Sequence, residues 1–150
     1  MFTTRPSTSQ DLDRLFEIWR SAVEATHHFL SAADVDEIGR LVRDAYLPVA
    51  DFLVAVDGHD VVHGFLGATG NRIDALFVHA DRRGGGIGRL LVRRMTDAHD
   101  AVTVDVNEQN ESGRGFYAHL GFEVCGRSET DDQGRPYPLL HLRWTREASC

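Results

Sequence analysis

The chain reads as one mixed α/β domain, residues 1–150, and three observations predict it. First, its 150 residues, 42% of them hydrophobic, suit a single domain with a real core. Second, the apolar periodicity switches repeatedly between helical spacing and two-residue alternation, in the order β, α, α, β, β, β, α, β, α, β, β. Third, a glycine-rich stretch follows one strand and opens a helix that leads to another, which is a parallel crossover after an antiparallel meander. No internal repeat, low-complexity segment or linker interrupts the chain.

Met1 to Arg5 reads as a short strand stopped at Pro6. In the segment that follows, Ser9 is an N-cap, and Asp11 and Asp13 suit the positive end of a helix. Leu12, Leu15, Phe16, Trp19, Ala22 and Val23 form its apolar stripe. A second helix starts at Ser31, carries Val35, Ile38, Leu41, Val42 and Ala45, and ends before Pro48. "DFLVAVDGHDVVHGFLGAT" gives two strands, Phe52 to Val56 and Val61 to Ala68, joined by a turn that begins at Asp57-Gly58. Arg72 to Val78 is the next strand. Ile87, Leu90, Leu91, Met95 and Ala98 trace a third helix, and Ala101 to Asn107 alternate as a strand. "NESGRGFYAHLG" is a short helix closed by Gly121. "FEVCGRSE" and "LLHLRWT" form a last strand pair joined by "TDDQGRPYP".

The net charge of −7, from 16 basic and 23 acidic side chains, argues against nucleic acid and anionic membrane as partners. It suits a cationic partner such as an amine, or serves solubility alone. No segment approaches the ~20 apolar residues of a membrane span, and "MFTTRPSTSQ" does not read as a secretory signal. The two cysteines, Cys125 and Cys150, do not make a disulfide framework, which predicts a reducing, cytoplasmic setting. No cysteine–histidine cluster suggests a metal. The chain is expected to be a monomer or a homodimer.

The stretch "HADRRGGGIGRLLV" carries the chemistry. A dinucleotide fingerprint from Gly84 or Gly86 would need a glycine at Arg89 or Leu91, and a Walker loop from Gly84 would also need one at Arg89, so both fail. Arg83, Gly86 and Gly88 do fit the pattern Arg-x-x-Gly-x-Gly, with Gly84, Gly85 and Ile87 as the intervening residues. Glycines admit positive φ and close approach, and successive N–H groups at a helix start form a nest for an anion. Arg89 lies off the apolar stripe and can add charge. The plain alternative is a flexible glycine turn.

This loop resembles the pyrophosphate loop of the GCN5-related N-acetyltransferase (GNAT) family, which binds acetyl-CoA. Asn110, Gly113, Phe116 and Tyr117, ahead of "HLGF", resemble that family's second motif. Asn110 and Tyr117 are seven residues apart and so expected on one helix face, with Gly113 leaving bare backbone between them for a long ligand. The resemblance spans nearly the whole chain. "ATHHFLSAADVDEI", "IDALFV", "VNEQNE" and "GRSETDDQGRPYPLL" place it nearest the bacterial YjaB-type acetyltransferases, a peptidyl-lysine N-acetyltransferase group.

The resemblance implies a mostly antiparallel twisted sheet with one parallel, splayed strand pair and helices on both faces. It implies acetyl transfer from acetyl-CoA, the cosubstrate, to an amine by direct attack in a ternary complex, without a metal. The amine is protein lysine or a small molecule such as a polyamine, amino acid or antibiotic; a silent CoA-binding sensor is the non-enzymatic alternative. Leu76, Phe77 and Val78 match the strand whose backbone pairs with pantetheine, and the N–H of Phe77 or Val78 is the expected oxyanion donor. Tyr117 falls where many members carry a tyrosine acid, and is otherwise a half-buried helix tyrosine. Asp74 is the expected base or else a solvent-facing carboxylate, with Asp105 and Glu108 as further candidates. His27, His28 and Phe29 lie where the family places an acceptor-site loop; the histidines otherwise cap a helix, and Phe29 is otherwise core. His59 and His63 read as surface. Asp131, Asp132 and Tyr137 either attract a cationic acceptor or make an ordinary turn.

Overall fold

The predicted alternation of strand and helix appears in the computed structural model as seven strands and four α-helices, with residues 1–146 described. The strands are β1 (Thr3–Pro6), β2 (Phe52–Val56), β3 (Val62–Thr69), β4 (Arg72–Val78), β5 (Ala101–Asn107), β6 (Glu123–Ser128) and β7 (Leu139–Thr145). The helices are α1 (Leu12–Thr26), α2 (Ala32–Leu41), α3 (Ile87–Ala98) and α4 (Glu111–His119). The strands hydrogen-bond in the order β1-β2-β3-β4-β5-β7-β6. β1–β2, β2–β3, β5–β7 and β6–β7 pair antiparallel, whereas β4 and β5 run parallel, in register at Arg72↔Thr103 and Ile73↔Val104.

By contact density the chain divides into two units. The first comprises Met1–Gly67 and Ala75–Val92. Its core packs Leu15, Ile18, Trp19 and Val23 of α1 with Val54, Val56, Val62, Phe65 and Ala75 of the strands. Six consecutive residues of β3, Val62 to Gly67, are buried, as expected of an interior strand covered on both faces. Here Gly67 permits a close approach: a Cβ on it would lie 2.5 Å from the Tyr46 hydroxyl and 2.9 Å from the Phe52 ring.

The second unit comprises Ala68–Asp74 and Arg93–Cys150. β5 buries Val102, Val104 and Val106 and leaves Thr103, Asp105 and Asn107 half-buried, so one face is apolar and the other polar. β7 buries Leu140 and Leu142 on the same principle. The chain after α4 turns at Gly121, whose φ of +95° favours glycine there.

Four local details differ from the sequence reading. The first helical segment is capped at Thr8 rather than Ser9, because Asp11 reaches back to accept the Thr8 N–H at 2.8 Å and also binds Arg5. β1 starts at Thr3 rather than Met1 and includes Pro6 as its last residue. α2 does not run on to Pro48 as an α-helix; it widens at Val42–Tyr46, where the Leu47 N–H donates to the Val42 carbonyl at 2.8 Å. Cys125, expected as a reduced thiol, is disulfide-bonded; Cys150 lies outside the described residues.

Candidate active site

In the first unit, β4 delivers Leu76, Phe77 and Val78, all half-buried, to the start of the glycine loop. The His79 N–H donates to the His63 carbonyl at 2.9 Å and the Ala80 N–H to the Ser21 hydroxyl at 3.0 Å, which anchors the strand's end to β3 and α1. A one-turn helix at Ala80–Arg82 follows, and then the glycines. Gly84 and Gly86 adopt φ of +80° and +85°, and a Cβ built on either would meet nothing within 4 Å. Their space is therefore open, and their conformation is one that glycine holds without strain.

The Leu90 N–H is bound to the Gly86 carbonyl at 3.0 Å. The first-turn N–H groups of Ile87, Gly88 and Arg89 precede that bond and have no carbonyl one turn back along α3. An open backbone with such donors fits a pyrophosphate. Arg83 and Arg89 are exposed beside it. Ile87 buries its side chain to 1% exposure, so its backbone is the part that a ligand can meet. Gly64 of β3, which belongs to no sequence motif, explains how. A Cβ there would sit 2.7 Å from Ile87 Cγ2 and 3.2 Å from the Phe77 carbonyl oxygen. A bare position in β3 thus lets the loop and β4 close down.

In the second unit, Asn110 is the N-cap of α4 rather than a residue on its face. Its Oδ1 accepts the Gly113 N–H at 3.0 Å, and the side chain is buried at 8% exposure. Gly113 proves to be needed by this cap and not only by a ligand, since a Cβ on it would fall 2.5 Å from Asn110 Nδ2 and 3.0 Å from Val106 Cγ2. Tyr117 is buried rather than half-buried, at 6% exposure. Its ring meets Phe116 at 5.0 Å and Phe122 at 5.2 Å between centroids, both edge-on. Burial pushes the phenol well above the ordinary tyrosine range.

Asp74 is exposed, as a solvent-facing carboxylate would be, but it is not isolated. Its Oδ2 accepts the Thr69 hydroxyl at 2.5 Å, and its Oδ1 lies 3.6 Å from Arg72 Nε. Arg72 also donates from Nη2 to Asp105 Oδ2 at 3.2 Å. Asp105 Oδ1 lies 2.6 Å from His141 Nδ1, and His141 Nε2 lies 2.7 Å from the Ser128 hydroxyl. Glu108 is held in an ion pair by Arg127 at 2.7 Å, which lowers its pKa. Asp131 accepts the N–H groups of Gln133 and Arg135, so it organises its turn. Tyr137 is buried and Asp132 exposed.

The histidine pair lies after α1 and its side chains are engaged locally. The Thr26 hydroxyl donates to the Ala22 carbonyl at 2.7 Å and so accepts from His27 Nδ1, also at 2.7 Å. His28 Nε2 donates to the Ala25 carbonyl at 2.9 Å. The His27 ring lies 5.3 Å from Phe29. Burial first, and His28 second, lower the pKa of His27 to about 4, so it is a neutral ring at pH 7 rather than a cationic cap. The unfolded chain binds this proton near pH 6.5 and the folded chain only near pH 4, so stability falls as pH drops through that window. His27→Gln should flatten the fall, of the order of 2 kcal/mol, in urea titrations at pH 7 and pH 4.5; an unchanged pH dependence would refute this account. His63, read as surface, is buried at 5% exposure against Asp57 at 2.9 Å. That contact, with the Val61 and His59 N–H groups, depresses Asp57 strongly. Among the described residues no cluster of three or more His, Cys, Asp or Glu is placed to hold a metal, and no helix is long and apolar enough to cross a membrane.

The model of the acetyltransferase (GNAT) domain matches residues 48–124, from the segment before β2 through the glycine loop and α4 into β6. The chain belongs to the GNAT acetyltransferase family. Among its relatives, the peptidyl-lysine N-acetyltransferase YjaB of Salmonella typhimurium is 47% identical over 95% of this chain and 97% of its own length. The solution structure of apo-form YjaB from Escherichia coli superposes with a TM-score of 0.91 at 45% identity, covering 96% of this chain and 97% of that one. The PaiA N-acetyltransferase of Thermoplasma acidophilum, solved with coenzyme A, shares the fold at 19% identity and a TM-score of 0.74, covering 97% of this chain and 99% of its own. This GNAT chain is accordingly an acetyl-CoA-dependent N-acetyltransferase that transfers acetyl to an amine. Its seven-stranded mixed sheet with one parallel pair is the GNAT fold.

Proposed function

We propose that this GNAT enzyme acetylates lysine side chains of proteins in the cytoplasm, with residues 1–150 acting as one catalytic domain. The observation that carries the reading is near-full-length identity of 45–47% to two peptidyl-lysine N-acetyltransferases. The loop Arg83–Gly88, with Arg89, binds the pyrophosphate of acetyl-CoA through backbone N–H groups and flanking charge. Leu76, Phe77 and Val78 offer backbone to the pantetheine arm in the manner of strand addition. The N–H of Phe77 or Val78 donates to the oxyanion of the tetrahedral intermediate. Asn110 and Gly113 shape the start of α4, Phe116 packs beside Tyr117, and Tyr117 gives its proton to the departing thiolate. With Thr69 and Arg72 at its two oxygens, Asp74 serves to hold Arg72 rather than to take a proton. His27, His28 and Phe29 contribute to the acceptor surface as neutral and apolar groups.

The test is thiol release from acetyl-CoA with lysine peptides, polyamines, amino acids and aminoglycosides offered in parallel. Lysine peptides should give the highest kcat/KM, by about tenfold or more. A small amine that outruns them would overturn the protein-lysine reading, and acetyl-CoA binding without turnover on any amine would make the chain a sensor.

A further inference from the structure

The line of side chains through Asp105, His141 and Ser128 has no use in the scheme above. It lies wholly within the second unit. Asp105 of β5 and His141 of β7 are cross-strand partners in the register, so their side chains share one face. Gly126 of β6 stands opposite His141 next to a register shift, and a Cβ there would come 3.3 Å from the His141 ring. The glycine leaves the imidazole room. Arg72 steadies the far oxygen of Asp105. In the neutral ring, with the His141 Nδ1–H donated to Asp105, Nε2 can accept the Ser128 O–H. Carboxylate, imidazole and hydroxyl thus stand in the order and roles of a general-base triad.

The position fits as well as the geometry. Ser128 is paired with Leu139, and Leu139 with Asn107, the last residue of β5. The Asn107 carbonyl accepts the N–H of Asn110, the cap of the helix that carries Tyr117. The hydroxyl end of the line therefore meets the end of β5 from which α4 starts. His141 is 39% exposed at its side chain, so a proton taken there can leave to solvent. The charged groups sharing its face are Asp105, Arg72 and Asp74, with Arg143 further along β7 and Glu123 opposite it on β6. The rival carboxylates, Asp74 and Glu108, are both engaged by arginines.

We propose that His141 is the general base of acetyl transfer, drawing the proton of the acceptor ammonium through the Ser128 hydroxyl, with Asp105 fixing its tautomer. The inference rests on the acetyl-transfer reading above. Ser128 receives one ammonium proton as it passes its own to His141 Nε2, and the freed amine attacks the thioester carbon. The C–N bond forms, the C–S bond breaks, and Tyr117 protonates the thiolate. The second amine proton, lost as the intermediate collapses to the amide, restores the phenol. His141 then releases its proton to water.

The experiment compares wild type with His141→Gln and Ser128→Ala on a lysine peptide and on a hydrazide peptide, whose amine is already neutral at pH 7. His141→Gln should lose about 100-fold in kcat on lysine and less than about threefold on the hydrazide. Its rate on lysine should keep climbing toward the amine's own pKa of ~10.4, where wild type levels off earlier. Ser128→Ala should show the same acceptor dependence with about a tenfold loss, and it tests the relay even if His141→Gln does not fold. Equal losses on both acceptors, or none on lysine, would overturn the inference while the acetyl-transfer reading stands. A wild-type enzyme that binds acetyl-CoA and acetylates no amine would overturn both.

Discussion

Tyr117→Phe should lower kcat for acetyl transfer by about 100- to 1000-fold while leaving the acetyl-CoA Kd within about threefold. The substitution removes one oxygen and keeps the ring, so the edge-on contacts with Phe116 and Phe122 survive. The Phe122 N–H also keeps its bond, at 3.0 Å, because its partner is the backbone carbonyl of residue 117. What is lost is the proton. Burial holds the phenol protonated through neutral and alkaline pH. The raised pKa weakens it as an acid, but a thiolate formed in the same desolvated surroundings is made more basic by the same cause. The acid form thus persists, and the alkaline limb of the rate profile should not fall within the ordinary tyrosine range. Single-turnover thiol release and calorimetric binding check both halves, and a kcat near wild type would remove Tyr117 from the chemistry.

The second large effect is on binding. Gly86→Val should weaken acetyl-CoA binding by about 10- to 100-fold, the worth of one or two charge-assisted hydrogen bonds to phosphate. A valine at φ +85° is strained, and its side chain would enter the open space that a phosphate needs. Strain alone is controlled by Gly70→Val, where φ is +59° and a Cβ likewise meets nothing within 4 Å. Both variants should lose comparable stability, of the order of 1–2 kcal/mol, but only Gly86→Val should lose affinity in calorimetry. If the two bind acetyl-CoA equally well, the loop is a turn and not a cradle.

Patterns local in sequence were legible. The bounds of β4 and β5, Arg72–Val78 and Ala101–Asn107, match the expected strands because β5 alternates without a break and β4 is a short apolar-rich run stopped by the glycine loop. The glycine loop was legible because its residue types answer a backbone requirement, now visible as positive φ at Gly84 and Gly86. Features that depend on which strands become neighbours were not. His141 breaks an apolar run in "LLHLRWT", which was the available signal, but its partners Asp105 and Ser128 come from two other strands. Gly64 was hidden for the same reason, since its neighbours Ile87 and Phe77 are distant in sequence. Ser9 failed as a cap because the Asp11 carboxylate, two residues later, serves Thr8 instead. His63 looked like surface because nothing in its own strand announces Asp57 across the turn.

The interlock of Asn110 and Gly113 also constrains how this sequence can drift. Asn110 Nδ2 lies 2.5 Å from where residue 113 would carry its first side-chain carbon, too close for both to stand. Gly113→Ala arising alone would expel the amide and forfeit the cap, at about 1 kcal/mol. The same alanine arising after Asn110 has become serine meets a shorter side chain and a smaller penalty. The order in which the two changes occur therefore decides whether a lineage passes through a weakened intermediate. Descendants that keep asparagine at 110 should keep glycine at 113, an epistatic pair held by one hydrogen bond and one missing methyl group.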